Sequence, residues 1–258
     1  MSASTVIDIR ATEWEMSAPP KFPEHTQERA WTRLYRIASI AAFMVVALIP
    51  IQAAIFIVWP PPTTILGYFS VFQTNAMLGL LDLDLLLIVD QLLIIVVLLG
   101  LYIALRRTNP SVMLLATALG VIGALLFVVS REATFSMMWL SQQYGGSGSD
   151  TERAAIVAAG QTLLTVYNGT AFAVGYFLSG LTMLLISAVM LRSVVFSRVT
   201  GVAGVLAGAT GLVPASFGTL GFALSSISLL PLLVWLVLIG RRLLELATEA
   251  RNGPRPTK

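Results

Sequence analysis

Residues 83–107 read LDLLLIVDQLLIIVVLLGLYIALRR, and this stretch decides the class of fold. A helix needs about 20 mostly apolar residues to cross the ~30 Å hydrocarbon core of a bilayer, and Leu83 to Leu105 supplies them. Arg106 and Arg107 then close the run abruptly. The same pattern recurs near 35–59, 111–130, 166–191, 199–217 and 220–240. Of the 258 residues, 57 % are apolar and 11 % charged, and the mean hydropathy is +0.85. A soluble domain carries about 25 % charged residues. The composition therefore excludes a disordered chain, a coiled coil and a disulfide scaffold. It predicts an all-α polytopic membrane protein of six transmembrane helices. The expected organisation is a flexible arm over 1–33, a transmembrane domain over 34–243 and a tail over 244–258.

Basic residues give the orientation, because they accumulate on the cytoplasmic side. Arg10, Lys21, Arg29, Arg33 and Arg36 precede or open the first span. Arg106 and Arg107 follow the second, and Arg192 and Arg198 the fourth. Arg241, Arg242, Arg251, Arg255 and Lys258 follow the sixth. Of the sixteen Lys and Arg residues, only Arg131 and Arg153 fall on the other side. Both termini are thus expected in the cytoplasm, as an even number of spans requires. The leader is too long and mixed for a cleaved signal, so the first span reads as a retained anchor. Helix is expected to begin after Pro23. The net charge of +3 follows the inside rule, and no basic stripe suggests nucleic acid.

The connections differ in length. Asn109 is placed to cap the third span, with Pro110 in its first turn. Pro60, Pro61 and Pro62 must stop the first helix. The apolar stretch after them reads as a short helix, on the outer interface or tucked between spans. Residues 131–143 keep helical composition, Gly145 to Gly148 break it, and Ser149-Asp150-Thr151-Glu152 has the form of a capping box. Helices three and four are therefore expected to extend outward as a hairpin. The alternative is that these pieces lie flat on the outer leaflet.

Ionisable residues inside spans are costly, about 2.5–3.5 kcal/mol at the bilayer centre on insertion scales. Only the second span has them: Asp82, Asp84 and Asp90, with Gln91 next in line. Counted from residue 82, Asp90 lies ~12 Å deep. At 100° per residue no single stripe contains them all, so no linear proton wire is implied. Arg131 ends the third span at the matching height. The candidate polar pocket between helices two, three and four is Asp84, Asp90, Gln91, Arg131, Glu132, Gln161, Tyr167 and Asn168. The competing reading is a structural network that satisfies itself and fixes helix register. Gly201, Gly204, Gly208 and Gly211 share one face of the fifth span and allow close helix packing. Pro214 and Pro231 are expected to kink spans five and six, with Ser225, Ser226 and Ser228 satisfying freed carbonyls.

Chemistry is tightly bounded. There is no Cys, and the one histidine, His25, lies in the arm. No metal site or cofactor is expected, and no zinc protease. A serine nucleophile needs a base, and no span contains His or Lys. The chain reads as no enzyme, with the lipid bilayer as its partner and no nucleic acid.

The run NAMLGLLDLDLLLIVDQLLIIVVLLGLYIALRR, Asn75 to Arg107, resembles the second-helix region of bacterial membrane proteins grouped as domain of unknown function 4386. The segments from Tyr167 to Phe172 and from Val189 to Arg198 fit the same family, and the resemblance covers roughly residues 35–243. It implies six helices and a bacterial cytoplasmic membrane. It implies no activity, ligand or catalytic residue. Three functions then compete: binding of a lipid or small amphiphile in an outer-leaflet pocket, proton-coupled transport through Asp90, and a structural or regulatory subunit without a ligand.

Overall fold

The computed structural model describes residues 24–80 and 84–252, and among these every regular element is helical. In chain order they are α1 (Glu24–Val58), α2 (Ile65–Leu80), α3 (Leu86–Leu105), α4 (Pro110–Gly146), α5 (Asp150–Tyr167), α6 (Thr170–Leu191), α7 (Arg198–Thr210) and α8 (Gly218–Asn252). Residues 1–23 of the expected arm and Asp82 lie outside the described residues. The rest of that segment, from Glu24, already belongs to α1, and α8 runs through residue 243 without a break.

Five helical stretches are long and apolar enough to cross a membrane: Trp31–Val58, Leu86–Leu105, Pro110–Gly146, Asp150–Leu191 and Gly218–Arg251. They account for five of the six expected spans. The expected span at 199–217 has a different form. Its helix α7 has 13 residues, ~20 Å at 1.5 Å per residue, well short of ~30 Å. Pro214 therefore does not kink a span, and instead lies buried in the irregular Gly211–Phe217 connection. Pro50 and Pro231 do lie inside helices, in α1 and α8.

Six helices close into a ring, with contacts running α1–α3–α4–α6–α7–α8 and back to α1. One end of the ring, here called proximal, holds the tight 106–109 and 192–197 turns and the C-terminal part of α8. The other end, called distal, holds the ends of α1 and the start of α3. The proximal half is filled by one apolar core built from Ala38, Leu101, Leu105, Met113, Ile186, Met190, Trp235, Leu236, Ile239 and Leu243, among others. Its turns are set as the sequence suggests. Asn109 Oδ1 accepts from the Val112 N–H at 3.1 Å, and Pro110 begins α4.

Small residues let helix backbones touch. A methyl added at Gly175 would meet the Gly123 carbonyl at 2.8 Å, and one at Gly180 would meet that of Gly208 at 3.2 Å. Thus α6 presses backbone to backbone on α4 at one point and on α7 at another. Lipid tails are as apolar as these side chains, so van der Waals fit at such contacts drives association. The α7 glycines face inward: Gly201 against Leu191, Gly204 against Ser187 and Trp235, and Gly208 against Gly180 and Leu184. Gly211 ends the helix, its N–H donating to Ala207.

At the distal end α4 and α5 run on as a hairpin beyond the level where α3 begins. Helix α4 has 37 residues, ~55 Å, and stays unbroken to Gly146. Ser149 then caps α5 by accepting from the Glu152 N–H at 3.2 Å. Helix α2, bent at Asn75, packs against both. These three form a cap with a second apolar core of Ile65, Tyr68, Phe69, Phe72, Ala133, Met137, Ile156 and Tyr167. The short helix expected after Pro62 is therefore the third wall of the cap. Helices α5 and α6 are separated at Asn168 and Gly169, a break that the sequence reading runs through.

Candidate functional site

The buried and half-buried charged residues of the candidate site divide into two places. The first lies where the cap meets the ring. Arg131, on α4, and Asp84, just before α3, are both buried. The guanidinium Nη1 donates to Asp84 Oδ1 at 3.1 Å. Arg131 Nη2 donates to the Tyr167 carbonyl and Nε to Ser130 Oγ, each at 3.1 Å. Asp84 in turn accepts from the Tyr167 hydroxyl at 3.0 Å and from the Thr134 hydroxyl. Its two oxygens thus take three donors, and the guanidinium reaches three acceptors.

Aromatic rings wall this pair. The Arg131 guanidinium lies 3.8 Å from the ring centre of Tyr167, 4.9 Å from Phe172 and 5.1 Å from Phe127. A desolvated cation over an aromatic face gains about 2 kcal/mol or more. Tyr68 of α2 meets Tyr167 edge-on at 6.1 Å. Burial, with the nearby Asp84 charge adding to it, pushes the Tyr68 phenol up to about 12. Tyr68 therefore stays a neutral hydroxyl at any physiological pH.

This arrangement is a clamp. It ties the start of α3, the middle of α4 and the α5–α6 break, with α2 leaning on it. A buried pair with all its groups hydrogen-bonded is far less costly than one with an orphan. Of the eight expected pocket residues, the clamp contains Asp84, Arg131 and Tyr167. It does not contain Glu132, Gln161 or Asn168, which are exposed. Glu132 and Arg131 are consecutive on a helix and point ~100° apart. Gln161 is nearly two turns from Tyr167 on α5. Ser130, Thr134, Phe127, Phe172 and Tyr68 belong to the clamp and are not among the expected eight. The spacing Arg131 to Thr134, one turn apart on a single helix face, was the signal for Thr134.

The second place is Asp90 with Gln91. Asp90 lies six residues along α3 from Asp84, ~9 Å deeper into the ring. Its Oδ2 is 3.5 Å from Gln91 Nε2, and its buried Oδ1 has no hydrogen-bond partner. Asp90 and the clamp are therefore separate sites.

A third feature lies outside the eight expected pocket residues. Helix α7 stops beside Gly180, halfway along α6. The chain then climbs to the distal level as the irregular Gly211–Phe217 segment. Beyond the Gly211 bond to Ala207, its Phe217 N–H donates to Pro214 at 3.0 Å. Gly218, with φ 68°, starts α8 in a conformation suited to glycine. Between this segment and α6 lies an open cavity of about 320 Å³, lined by Ala173, Val174, Phe177, Leu212, Val213, Pro214 and Phe217. Every residue that lines it is apolar. Where α7 is missing, Tyr176 of α6 comes close to Ser225 and Ser228 of α8. The hydroxyls of Ser225 and Ser226 donate to the Phe222 carbonyl and that of Ser228 to the Ser225 carbonyl, so none goes to the position freed by Pro231.

A family model described as Domain of unknown function (DUF4386) matches residues 34–245. The chain belongs to this family. The DUF4386 match begins at the end of the arm and ends near Glu245 in α8, so it takes in the ring, the cap, the clamp and the cavity alike. Neither the curated proteins nor the solved structures contain a match to the chain. The membrane-like helices and the family together describe a multi-pass membrane protein.

Proposed function

We propose that this DUF4386 protein is a non-enzymatic protein of a bacterial cytoplasmic membrane that holds the apolar chain of a lipid or small amphiphile. In this reading six segments cross the bilayer. The sixth crossing is completed by α7 together with Gly211–Phe217, and both termini and the proximal end face the cytoplasm, as the basic residues favour. The cap then projects on the outside.

The observation that carries the reading is the apolar cavity of about 320 Å³ beside the broken segment. Irregular backbone at membrane depth persists where protein buries it, as at Pro214, and interrupted helices at mid-depth recur at binding sites of membrane proteins. Ligand pockets begin near 300 Å³ and are mostly apolar. The occupant is argued from depth and wall: the cavity flanks the distal half of α6 and opens between Val174, Phe177 and Phe217, all exposed apolar side chains. At that height the surroundings are hydrocarbon, so the entering group is an alkyl chain. This site replaces the polar pocket expected between helices two, three and four, whose central pair is sealed in the clamp.

Native mass spectrometry of the gently extracted protein tests the proposal. The wild type should retain an amphiphile that Ala173→Trp, which fills the cavity from its α6 wall, loses while remaining folded. Equal retention by both proteins would sink the assignment.

A further inference from the structure

We propose that Asp90 is a site that takes up and releases a single proton inside the helix ring. The argument starts from direction. On α3 the buried residues Val97 and Leu101 follow Asp90 by 7 and 11 positions. At 100° per residue Val97 and Leu101 each point within ~20° of Asp90, one on either side of it, so Asp90 faces the ring interior. It lies in the layer between the two apolar cores, distal to the proximal core and below the clamp.

Among the described residues, nothing within reach neutralises it. Its buried Oδ1 has no hydrogen-bond partner, and its other oxygen meets only the amide of the adjacent Gln91 at 3.5 Å. The helices packed most closely on α3 are α1 and α4, with α6 and α8 across the ring interior; of these two, α6 carries Tyr176 as its one titratable residue and α8 carries none between Gly218 and Gly240. Between Ile37 and Val58 α1 carries no ionisable residue, and between Pro110 and Ser130 α4 carries none. On α3 itself, Tyr102 lies more than three turns away, and Asp84 is committed to Arg131. A lone carboxylate in that environment requires a bound cation or a proton. A metal ion asks for several oxygen ligands, and among the described residues no cluster of three His, Cys, Asp or Glu exists. The ligand that fits one carboxyl and one amide is a proton.

The experiment uses an apolar carbodiimide on the full chain in lipid vesicles. A protonated carboxyl adds across one N=C bond: its proton goes to nitrogen, its oxygen bonds to the central carbon, and acyl migration leaves a stable N-acylurea. The adduct contains every atom of both reactants. Peptide mapping should find one adduct, on Asp90, and none on Asp84. The labelling rate should fall about tenfold per pH unit on the alkaline limb, as the protonated fraction does. Asp90→Asn should abolish labelling, and Asp90→Glu should restore it. An adduct confined to other carboxyls, no adduct at all, or a rate on Asp90 that ignores pH would each overturn the proposal. Mapping in the wild-type chain decides the matter even if Asp90→Asn fails to fold.

Discussion

The Arg131 guanidinium stacks 3.8 Å from the ring centre of Tyr167 and donates to the same residue's carbonyl oxygen. One side chain thereby fixes both the ring and the backbone of the residue that ends α5. That carbonyl stands at the break before α6, where a helix leaves its last acceptors unpaired. Arg131 thus fills one vacancy in the helix ladder while pairing with Asp84, and the cap is joined to the ring through it.

Removing Arg131 should therefore cost far more than an average substitution. Arg131→Met leaves the Asp84 charge buried and should destabilise the fold by about 3–5 kcal/mol. The double variant Arg131→Met with Asp84→Leu removes both charges and should recover a large part of that loss. Thermal unfolding of the purified protein in detergent, followed by circular dichroism, gives the comparison. A single variant as stable as wild type would show that the clamp contributes nothing.

The helix backbone contacts make a sharper steric prediction. A Cβ at Gly175 would meet backbone atoms of Gly123 and Phe127 at 2.8 and 3.0 Å, and backbone cannot swing aside. Gly175→Ala should force α4 and α6 apart and cost about 1–3 kcal/mol, as overpacking does. Gly146→Ala, where nothing lies within 4 Å, should stay within about 0.5 kcal/mol of wild type. The two melting curves, recorded side by side, check the contrast.

How far the sequence was readable differs from element to element. Asn109-Pro110 and Ser149 to Glu152 announced the starts of α4 and α5, because capping is a local interaction between neighbours in the chain. Asp84 and Arg131 were suggested as neighbours by matching heights in antiparallel spans. Their sealing was not legible, since Tyr167, Phe172 and Tyr68 arrive from three other helices. Nor was the end of α7 at Thr210. The run GLVPASF is apolar enough to continue a span, and only its meeting with α6 and α8 shows it irregular. The stripe at Gly204 and Gly208 was plain from spacing, whereas Gly123 and Gly175 drew no attention as isolated glycines in separate spans.

Gly204 offers a test of side-chain rather than backbone crowding. A methyl there would collide with Ser187 Oγ and Trp235 Nε1. Both atoms are buried and have no hydrogen-bond partner, so they gain nothing by staying in place. Gly204→Ala should shift Trp235 out of its packed position in the proximal core. The tryptophan emission should broaden or shift, and stability should fall by about 1–3 kcal/mol. Trp235→Phe shortens the ring at the contact point, and in that background the same Gly204→Ala change should cost less. Equal losses in both backgrounds would place the strain elsewhere.

The proposed orientation can be mapped on this chain with little background, because it contains no cysteine. Single cysteines at Thr108 and Ser193 lie in the two proximal turns, while one at Gly146 lies at the tip of the cap. An impermeant maleimide added to intact cells should modify Gly146→Cys and leave Thr108→Cys and Ser193→Cys untouched until the cells are opened. The pair of proximal turns flanks α3 and α4 on one side and α6 and α7 on the other. If the irregular Gly211–Phe217 segment completes a crossing, a cysteine at Thr219, at the start of α8, should react from outside like Gly146→Cys. Protection of Thr219→Cys in intact cells, with Gly146→Cys modified, would instead place the start of α8 on the inner side and reduce the count of crossings to five.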